Sequence, residues 1–389
     1  MTYKILTSSL LCALLAGAAC AAPDSQSTEA QLVKSLQAIK NSRLDIALNE
    51  VDSLLRVNPN FKLAYLVKGD LLMARAGAIN NFGSAANAPR DMIEDLRDEA
   101  RVRLQRAQAR LSSKHPPRYI WKLDEQQKYA IVVDTSRSTL YVYENVKGEP
   151  RYVADYYITI GKLGTEKFAE CDKRTPIGVY FVKANLPKSK LADMYGNGAY
   201  PLSYPNEWDR KNGRTGQGIW LHGTPSGTYS RPPRASDGCV VLANDDLDKL
   251  APYLQVGVTP VIITNQLDWA NEQDRAERNA LLQEVEQWRK DWSSLDTNTY
   301  LKHYSRDFSS DNVDFAAWAK QKQLVNSAKS WIKVNISNVS VFTYPKQPNM
   351  AVVNFEQDYS SSNLSNRMKK RQYWIKHNNR WQIVYEGAA

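Results

Sequence analysis

Residues 220–242 read WLHGTPSGTYSRPPRASDGCVVL and hold His222 and Cys239, one of only four histidines and one of only four cysteines in the 389-residue chain. The segment GIWLH predicts a strand that ends at His222, and GCVVL predicts a strand that begins at Cys239. The loop between them is rich in Gly, Pro, Ser and Arg. If the two strands are neighbours in a sheet, this loop brings the imidazole and the thiol together.

Such a pair can perform nucleophilic catalysis. A cysteine attacks a carbonyl carbon as its thiolate, and a free thiol with a pKa of about 8.5 is mostly protonated at neutral pH. An imidazole that accepts the thiol proton removes this obstacle. The N–H groups of Gly238 and Cys239 are candidate oxyanion donors. The carbonyl of Gly223 and the hydroxyl of Thr224 are both candidates to hold the other nitrogen of His222. Spacing alone leaves an inert, buried cysteine as the alternative.

The residues around this pair resemble the active-site signature of the YkuD-type L,D-transpeptidases. That signature is His-Gly-Thr, a variable loop and Ser-x-Gly-Cys, matched here by residues 222–224 and 236–239. A second family signature, a basic residue before Thr-Pro-x-Gly, is matched by residues 174–178. The resemblance covers about residues 128–264, where short apolar runs predict a β-rich domain. After CVVL, Asn244 is expected to cap a short helix.

The resemblance implies a fold and a reaction. The fold is a mostly-β catalytic domain in which Cys239 attacks the L-centre carbonyl of a diamino acid in a peptidoglycan stem peptide and expels terminal D-alanine. The thioester then passes to an amine of another stem, which makes a cross-link, or to water, which trims the stem. No metal or cofactor is expected. The catalytic residues are expected to be Cys239, His222, Gly223 and Gly238, and the substrate contacts Ser236, Arg231, Arg234, Trp220 and Thr224.

Two positions depart from the family pattern. Asp237 stands where histidine is usual, and Val241 stands where arginine is common. Neither is the nucleophile or the base, so the chemistry is retained, but recognition of the substrate carboxylate is expected to differ. Arg231 and Arg234 could replace the missing arginine by bidentate pairing, or they could be solvated loop charges.

The N-terminus predicts export. Residues 1–21 combine a lysine, an apolar run and an Ala-x-Ala site, which is typical of a secretory signal peptide. A lipoprotein anchor at Cys20 is the alternative. The expected location is the periplasm or cell envelope, where Cys171 and Cys239 could form a disulfide. Because the proposed chemistry needs Cys239 free, Cys171 is either unpaired or half of a redox-controlled bridge.

The chain is predicted to be multidomain. Residues 22–115 have helical apolar spacing and resemble a tetratricopeptide unit, with a plain helical hairpin as the alternative. The catalytic domain is placed at residues 116–266. Residues 270–389 predict helices followed by antiparallel strands, and they resemble an α+β cone of the nuclear-transport-factor-2-like (NTF2-like) type. This order of domains resembles the cell-shape L,D-carboxypeptidases of helical bacteria, so hydrolysis is the second predicted outcome.

The formal net charge of +10 comes from scattered basic residues. This favours weak attraction to an anionic envelope polymer and does not favour nucleic acid. Peptidoglycan stem peptides are the expected substrates, and envelope proteins are expected partners of the helical and C-terminal domains. A non-catalytic cell-wall scaffold is the alternative of another class, supported by Asp237 and Val241. A zinc peptidase is disfavoured because the chain has no H-E-x-x-H or H-x-x-E-H motif.

Overall fold

The computed structural model describes residues 28–77, 81–84, 88–109, 115–310 and 313–389. The predicted signal peptide over residues 1–21 lies outside the described residues. The predicted architecture is confirmed: helices come first, a β-rich part follows and an α+β part ends the chain. Among the described residues, no helix has both the length and the apolar character needed to cross a bilayer.

The helical segment begins the described chain. Its helices are α1 (Thr28–Lys40), α2 (Leu44–Val57), α3 (Lys62–Ala76) and α4 (Arg90–Ala109). In α2, Ala47, Val51 and Leu54 recur at helical spacing and are fully buried, because this stripe faces α1 and α3. The chain turns between α2 and α3 at Asn58–Pro59, where proline cannot extend the helix.

The central part contains twelve short strands and two helices within residues 115–270. They are β1 (Ile120–Lys122), β2 (Tyr129–Asp134), β3 (Thr139–Val146), β4 (Glu149–Tyr157), β5 (Ile160–Gly161), β6 (Gly178–Phe181), β7 (Leu186–Pro187), β8 (Gly198–Pro201), α5 (Glu207–Lys211), β9 (Trp220–His222), β10 (Arg234–Ser236), β11 (Val240–Val241), α6 (Asn244–Leu250) and β12 (Pro260–Thr264).

Two sheets form the frame of this part. The first has the strand order β4-β3-β2-β12-β6, and the second has the order β11-β9-β8-β7. The β3–β4 hairpin turns through Lys147 and Gly148, both at positive φ, which suits the twist of the paired strands. A short parallel pair of β10 and β5 lies beside the second sheet.

The first sheet is buried on both faces, which explains the unbroken apolar runs YAIVVD and PVIIT. Ile131 and Ile263 face one hydrophobic cluster together with Leu221 and Val240 of the second sheet. The alternate residues, such as Val132, face a second cluster shared with the C-terminal part. The sheet therefore supports the candidate site on one side and the C-terminal domain on the other.

The C-terminal part is an α+β cone. Its elements are α7 (Glu272–Ser293), α8 (Thr297–Leu301), β13 (Ser309–Ser310), β14 (Val313–Asp314), α9 (Phe315–Ser327), β15 (Ile332–Tyr344), β16 (Gln347–Ser361), β17 (Leu364–His377) and β18 (Arg380–Ala388). Buried aromatic residues such as Trp288 and Trp374 fill the space between α7 and the sheet. The edge strand of this sheet is β1, which pairs with β15, so the chain ties the cone to the central part.

Candidate active site

The register of β9 and β11 brings the two ends of the signature together. The strands are parallel, with Val240 opposite Leu221 and Val241 opposite His222. Leu221 and Val240 point into the core between the two sheets. Because side chains alternate along a strand, His222 and Cys239 project from the opposite face. The pairing thus places His222 and Cys239 on one face of the sheet, and their contact stays a prediction.

The imidazole of His222 is fixed through one nitrogen. Its Nδ1 lies 2.7 Å from the carbonyl oxygen of Gly223, so Nδ1 carries the proton and Nε2 has the free lone pair. The ring is buried beside Tyr195, whose centroid lies 5.2 Å away in an edge-on arrangement. Burial lowers the pKa of His222 to about 4, and the positive charge of Arg231 acts in the same direction. The imidazole is therefore neutral at pH 7 and can accept a proton.

Of the two candidates for the orienting group, the structure selects the Gly223 carbonyl. The hydroxyl of Thr224 instead donates to the carbonyl of Tyr229, at 3.3 Å. Gly223 is required for packing, since a Cβ there would lie 2.1 Å from Oδ1 of Asn244.

Asn244 fixes the start of the loop and does not cap α6 as predicted. The residue before that helix is Ala243, which makes no side-chain cap. The Asn244 amide donates to the carbonyl of Thr224 at 2.8 Å, and its oxygen accepts from the N–H of Asn197 at 2.9 Å. The residues that follow His222 are thereby tied to the chain around Asn197.

The thiol of Cys239 is partly exposed and unpaired, and Cys171 is also free. The Sγ atom of Cys239 lies 3.3 Å from the carbonyl oxygen of Gly218. Burial raises the pKa of the Cys239 thiol above its ordinary value, while the charges of Lys167 and Arg231 lower it. Cys171 is exposed and adopts a positive φ of 58° in a neighbouring loop. In the resting site, Cys239 is therefore a neutral thiol and His222 a neutral imidazole.

The turn before Cys239 requires glycine. Gly238 has φ of +124°, and a Cβ there would lie 2.7 Å from the carbonyl oxygen of Arg174. The hydroxyl of Thr175 donates to the Gly238 carbonyl at 2.9 Å and accepts from the N–H of Gly161 at 2.9 Å. The Thr-Pro-x-Gly signature therefore supports the turn that presents the thiol.

Ser236 is committed to the same turn. Its hydroxyl donates to the carbonyl of Cys239 at 2.6 Å and accepts from the N–H of Gly238 at 3.2 Å. Ser236 is buried and its hydroxyl supports the backbone of the turn, and its predicted contact with substrate stays a prediction. Because the Gly238 N–H is directed at Ser236, the N–H of Cys239 is the better placed of the two predicted oxyanion donors.

The two loop arginines occupy different positions. The half-buried Arg231 donates from Nη2 to the carbonyl of Ala235 at 2.6 Å, and its charge acts on Cys239, Asp237 and His222. Arg234 is exposed on β10. The structure thus brings only Arg231 of this pair to the Cys–His site.

An aromatic wall lies beside the imidazole. Trp220 is partly exposed, and its ring lies 4.8 Å from that of Tyr195, which in turn contacts His222. Tyr200 and Tyr204, two other aromatic residues of the central part, belong to the hydrophobic core. Trp220 and Tyr195 therefore remain as aromatic candidates for substrate contact.

Sequence reasoning missed Lys167. Its side chain is buried, and its ammonium donates to the carbonyl of Ala169 and to Asp172, each at 2.9 Å. The Asp172 carboxylate also accepts from the N–H groups of Phe168 and Arg174. A lysine within the loop before the second signature was the available signal, but only the fold brings its charge near the thiol.

Comparison with known families agrees with this geometry. Residues 128–263 match YkuD, the L,D-transpeptidase catalytic domain, and residues 280–387 match the Cds6 C-terminal NTF2-like domain. The chain therefore carries a YkuD-type domain, from a family of cell-wall enzymes, joined to an NTF2-like domain. The resemblances to the YkuD-type L,D-transpeptidases and to NTF2-like domains are confirmed.

Three solved structures are similar to most of this chain. Bd1075 of Bdellovibrio bacteriovorus is 28% identical with a TM-score of 0.61, over 70% of this chain and 97% of that one. The helical cell shape determining protein Pgp2 of Campylobacter jejuni is 27% identical with a TM-score of 0.60, over 71% and 95% of the two chains. A point mutant of Pgp2 is 25% identical with a TM-score of 0.60, over 77% and 100%. No curated protein sequence matches the chain.

Proposed function

We propose that this protein is a peptidoglycan L,D-transpeptidase that remodels the cell wall and cell shape through a thioester on Cys239. The observation that carries the proposal is the parallel pairing of β9 with β11, which places a free thiol and a correctly protonated imidazole on one face. The match of residues 128–263 to the YkuD domain supports the substrate class, stem tetrapeptides.

In the first step Sγ of Cys239 attacks the L-centre carbonyl of the diamino acid while Nε2 of His222 takes the thiol proton. The N–H of Cys239 donates to the oxyanion. The tetrahedral intermediate collapses as the carbon–nitrogen bond breaks, and His222 gives its proton to the departing D-alanine amine. The product is a thioester. Arg231 is well placed to pair with a carboxylate of the stem peptide.

In the second step an amine of another stem attacks the thioester, and His222 again takes the proton. The carbon–sulfur bond breaks, the thiol is restored and a cross-link forms. With water as the acceptor, the same steps give L,D-carboxypeptidase activity. Hydrolysis is the second candidate because the order of the three domains, shared in part with Pgp2, resembles that of cell-shape carboxypeptidases. Export to the envelope is part of the proposal.

Purified protein incubated with disaccharide tetrapeptides, followed by mass analysis of the products, tests this function. Dimers indicate transfer, and tripeptides alone indicate hydrolysis. Cys239→Ala is expected to abolish both products, and Cys171→Ser, the matched change at the other free thiol, is expected to retain them. Conversion by Cys239→Ala at the wild-type rate would refute the proposal, and no conversion by wild-type protein would favour a scaffold.

A further inference from the structure

The loop between His222 and Cys239 is in direct contact with the N-terminal helical segment. Phe61, at the start of α3, lies with its ring 4.7 Å from that of Tyr229, and the N–H of Tyr229 lies 3.5 Å from the carbonyl of Asn60. Tyr229 packs against the hydrophobic cluster of the helices. The loop is thus partly built into the core of another domain.

A buried arginine of α4 lies at the centre of this contact. Arg103 is 2% exposed and forms ion pairs with Glu29 and Glu99. Its Nη2 donates to the hydroxyl of Ser230 at 2.8 Å, and that hydroxyl donates in turn to Glu99. Burial of a charge is unfavourable unless its partners are complete, so this arginine holds its partners in one arrangement.

Arg103 also reaches the residue after Ser230 by a second route. Its guanidinium lies 3.8 Å from the centroid of the Tyr157 ring, and the Tyr157 hydroxyl donates to the carbonyl of Arg231 at 3.0 Å. Thr159 donates to the same carbonyl at 3.1 Å. Arg103 therefore contacts Ser230, which precedes Arg231, and Tyr157, which is one of the two residues that donate to the Arg231 carbonyl.

We propose that the helical segment completes the active site: Arg103 is a positioning residue that, through Ser230 and Tyr157, fixes the backbone of Arg231, whose guanidinium bonds the Ala235 carbonyl in the segment that leads to Cys239. The inference deepens the proposed function and rests on it for the role of Arg231 toward a stem-peptide carboxylate. Undocking of the helices would release Ser230. The next residue, Arg231, which supplies positive charge to the thiol, would then lose its fixed position.

A pair of alkylating reagents measures this placement without any turnover. Iodoacetate carries a carboxylate and iodoacetamide does not, so the ratio of their rates at Cys239 reports positive charge beside the thiol at equal thiolate fraction. The measurement uses the full chain carrying Cys171→Ser, at pH 8.5. The variant Arg231→Gln gives the ratio of the iodoacetate rate to the iodoacetamide rate in the absence of the guanidinium. We expect this ratio to be about fivefold lower than in the protein that keeps Arg231.

Two variants then test the helical segment. Ser230→Ala removes the bridging hydroxyl, and the double variant Arg103→Met/Glu99→Gln removes the buried charge pair together, which avoids an unpaired buried carboxylate at Glu99. Both are expected to lower the ratio toward the Arg231→Gln value while the thermal melt retains one cooperative transition. Arg101→Met, an exposed arginine of the same helix, is the matched control and is expected to leave the ratio unchanged.

An unchanged ratio in folded Ser230→Ala and in the folded double variant would overturn the inference, as would a ratio that Arg231→Gln does not lower. The proposed function is tested separately by the muropeptide products. A ratio that depends on Arg103 in a protein that converts no muropeptide would support the positioning role and count against the function. Conversion of muropeptides together with an alkylation ratio that does not depend on Arg103 would support the proposed function and count against the positioning role.

Discussion

Replacement of His222 by glutamine is expected to leave the alkylation of Cys239 by iodoacetamide nearly unchanged, although it abolishes turnover of a stem peptide. Burial lowers the pKa of the imidazole to about 4 and raises the pKa of the thiol, so neither group is charged in the resting site at pH 7. The imidazole then contributes nothing to the resting thiolate. It acts only when a carbonyl carbon is present and proton transfer accompanies attack.

The magnitude follows from the two shifts. A thiol with a pKa at or above about 8.5 is at most about 3% thiolate at pH 7, whereas a preformed thiolate–imidazolium pair is almost entirely thiolate. The two cases therefore differ by about thirtyfold in alkylation rate. Moving the imidazole pKa from 6.5 to about 4 disfavours the imidazolium by about 3 kcal/mol, which is enough to remove the ion pair. His222→Gln should change the rate by less than about threefold.

The assay is intact-mass measurement of iodoacetamide adducts between pH 5 and 10 in protein carrying Cys171→Ser. The expected profile is a single rise above about pH 8, which is the same in wild type and His222→Gln. Turnover of a tetrapeptide by the same two proteins is the companion measurement. A plateau of alkylation between pH 5 and 7 that disappears in His222→Gln would refute the neutral pair.

Three further predictions concern stability. Gly238→Ala is expected to lower the free energy of unfolding in urea by about 2–4 kcal/mol and to abolish turnover, because φ of +124° and the Arg174 carbonyl exclude a Cβ. The control Gly227→Ala lies in the same loop, where a Cβ would meet open space, and should change this free energy by less than about 0.5 kcal/mol. Thr175→Val should cost about 2–4 kcal/mol, because it leaves a buried N–H and a buried carbonyl unpaired. The stability that neutral His222 contributes is complete above pH 6.5 and is lost as the pH falls through about 4, because in this range the unfolded chain binds a proton that the folded chain does not bind. Urea titrations at pH 7 and 4.5 should therefore show a smaller loss of unfolding free energy in His222→Gln than in the wild type.

Local pattern was sufficient for much of the fold. The runs YAIVVD and PVIIT predict buried strands, and they form the centre of the sheet that is covered on both faces. The Ser-x-Gly-Cys and Thr-Pro-x-Gly signatures could be recognised by family resemblance, but the hydrogen bond from the Thr175 hydroxyl to the Gly238 carbonyl joins residues 63 positions apart. The pairing of β9 with β11 could be stated only as a condition, since register depends on contacts between distant segments.

The contacts that order the loop could not be read from the sequence. Asparagine is a residue type that commonly caps helices, yet the Asn244 side chain donates a hydrogen bond to the loop after His222, because the fold brings that backbone carbonyl within reach. Arg103 lies on the charged helix α4, yet it is almost completely buried. Buried ion pairs between domains are set by tertiary docking, and no spacing along one helix predicts them.

The departure at Val241 and the presence of the helical segment are physically connected. A family arginine at position 241 would be held on β11 by the hydrogen bonds of a sheet, but here that position is an apolar residue buried opposite His222. The positive charge that acts on the thiol comes instead from Arg231, which lies in the loop before β10 and outside any strand. A charge placed on a loop needs support from outside the loop, since each ordered residue costs about 1–2 kcal/mol of backbone entropy. In this chain the support comes from Tyr157 on one side and from α4 on the other, so the proposed role of Arg231 would depend on the helical segment.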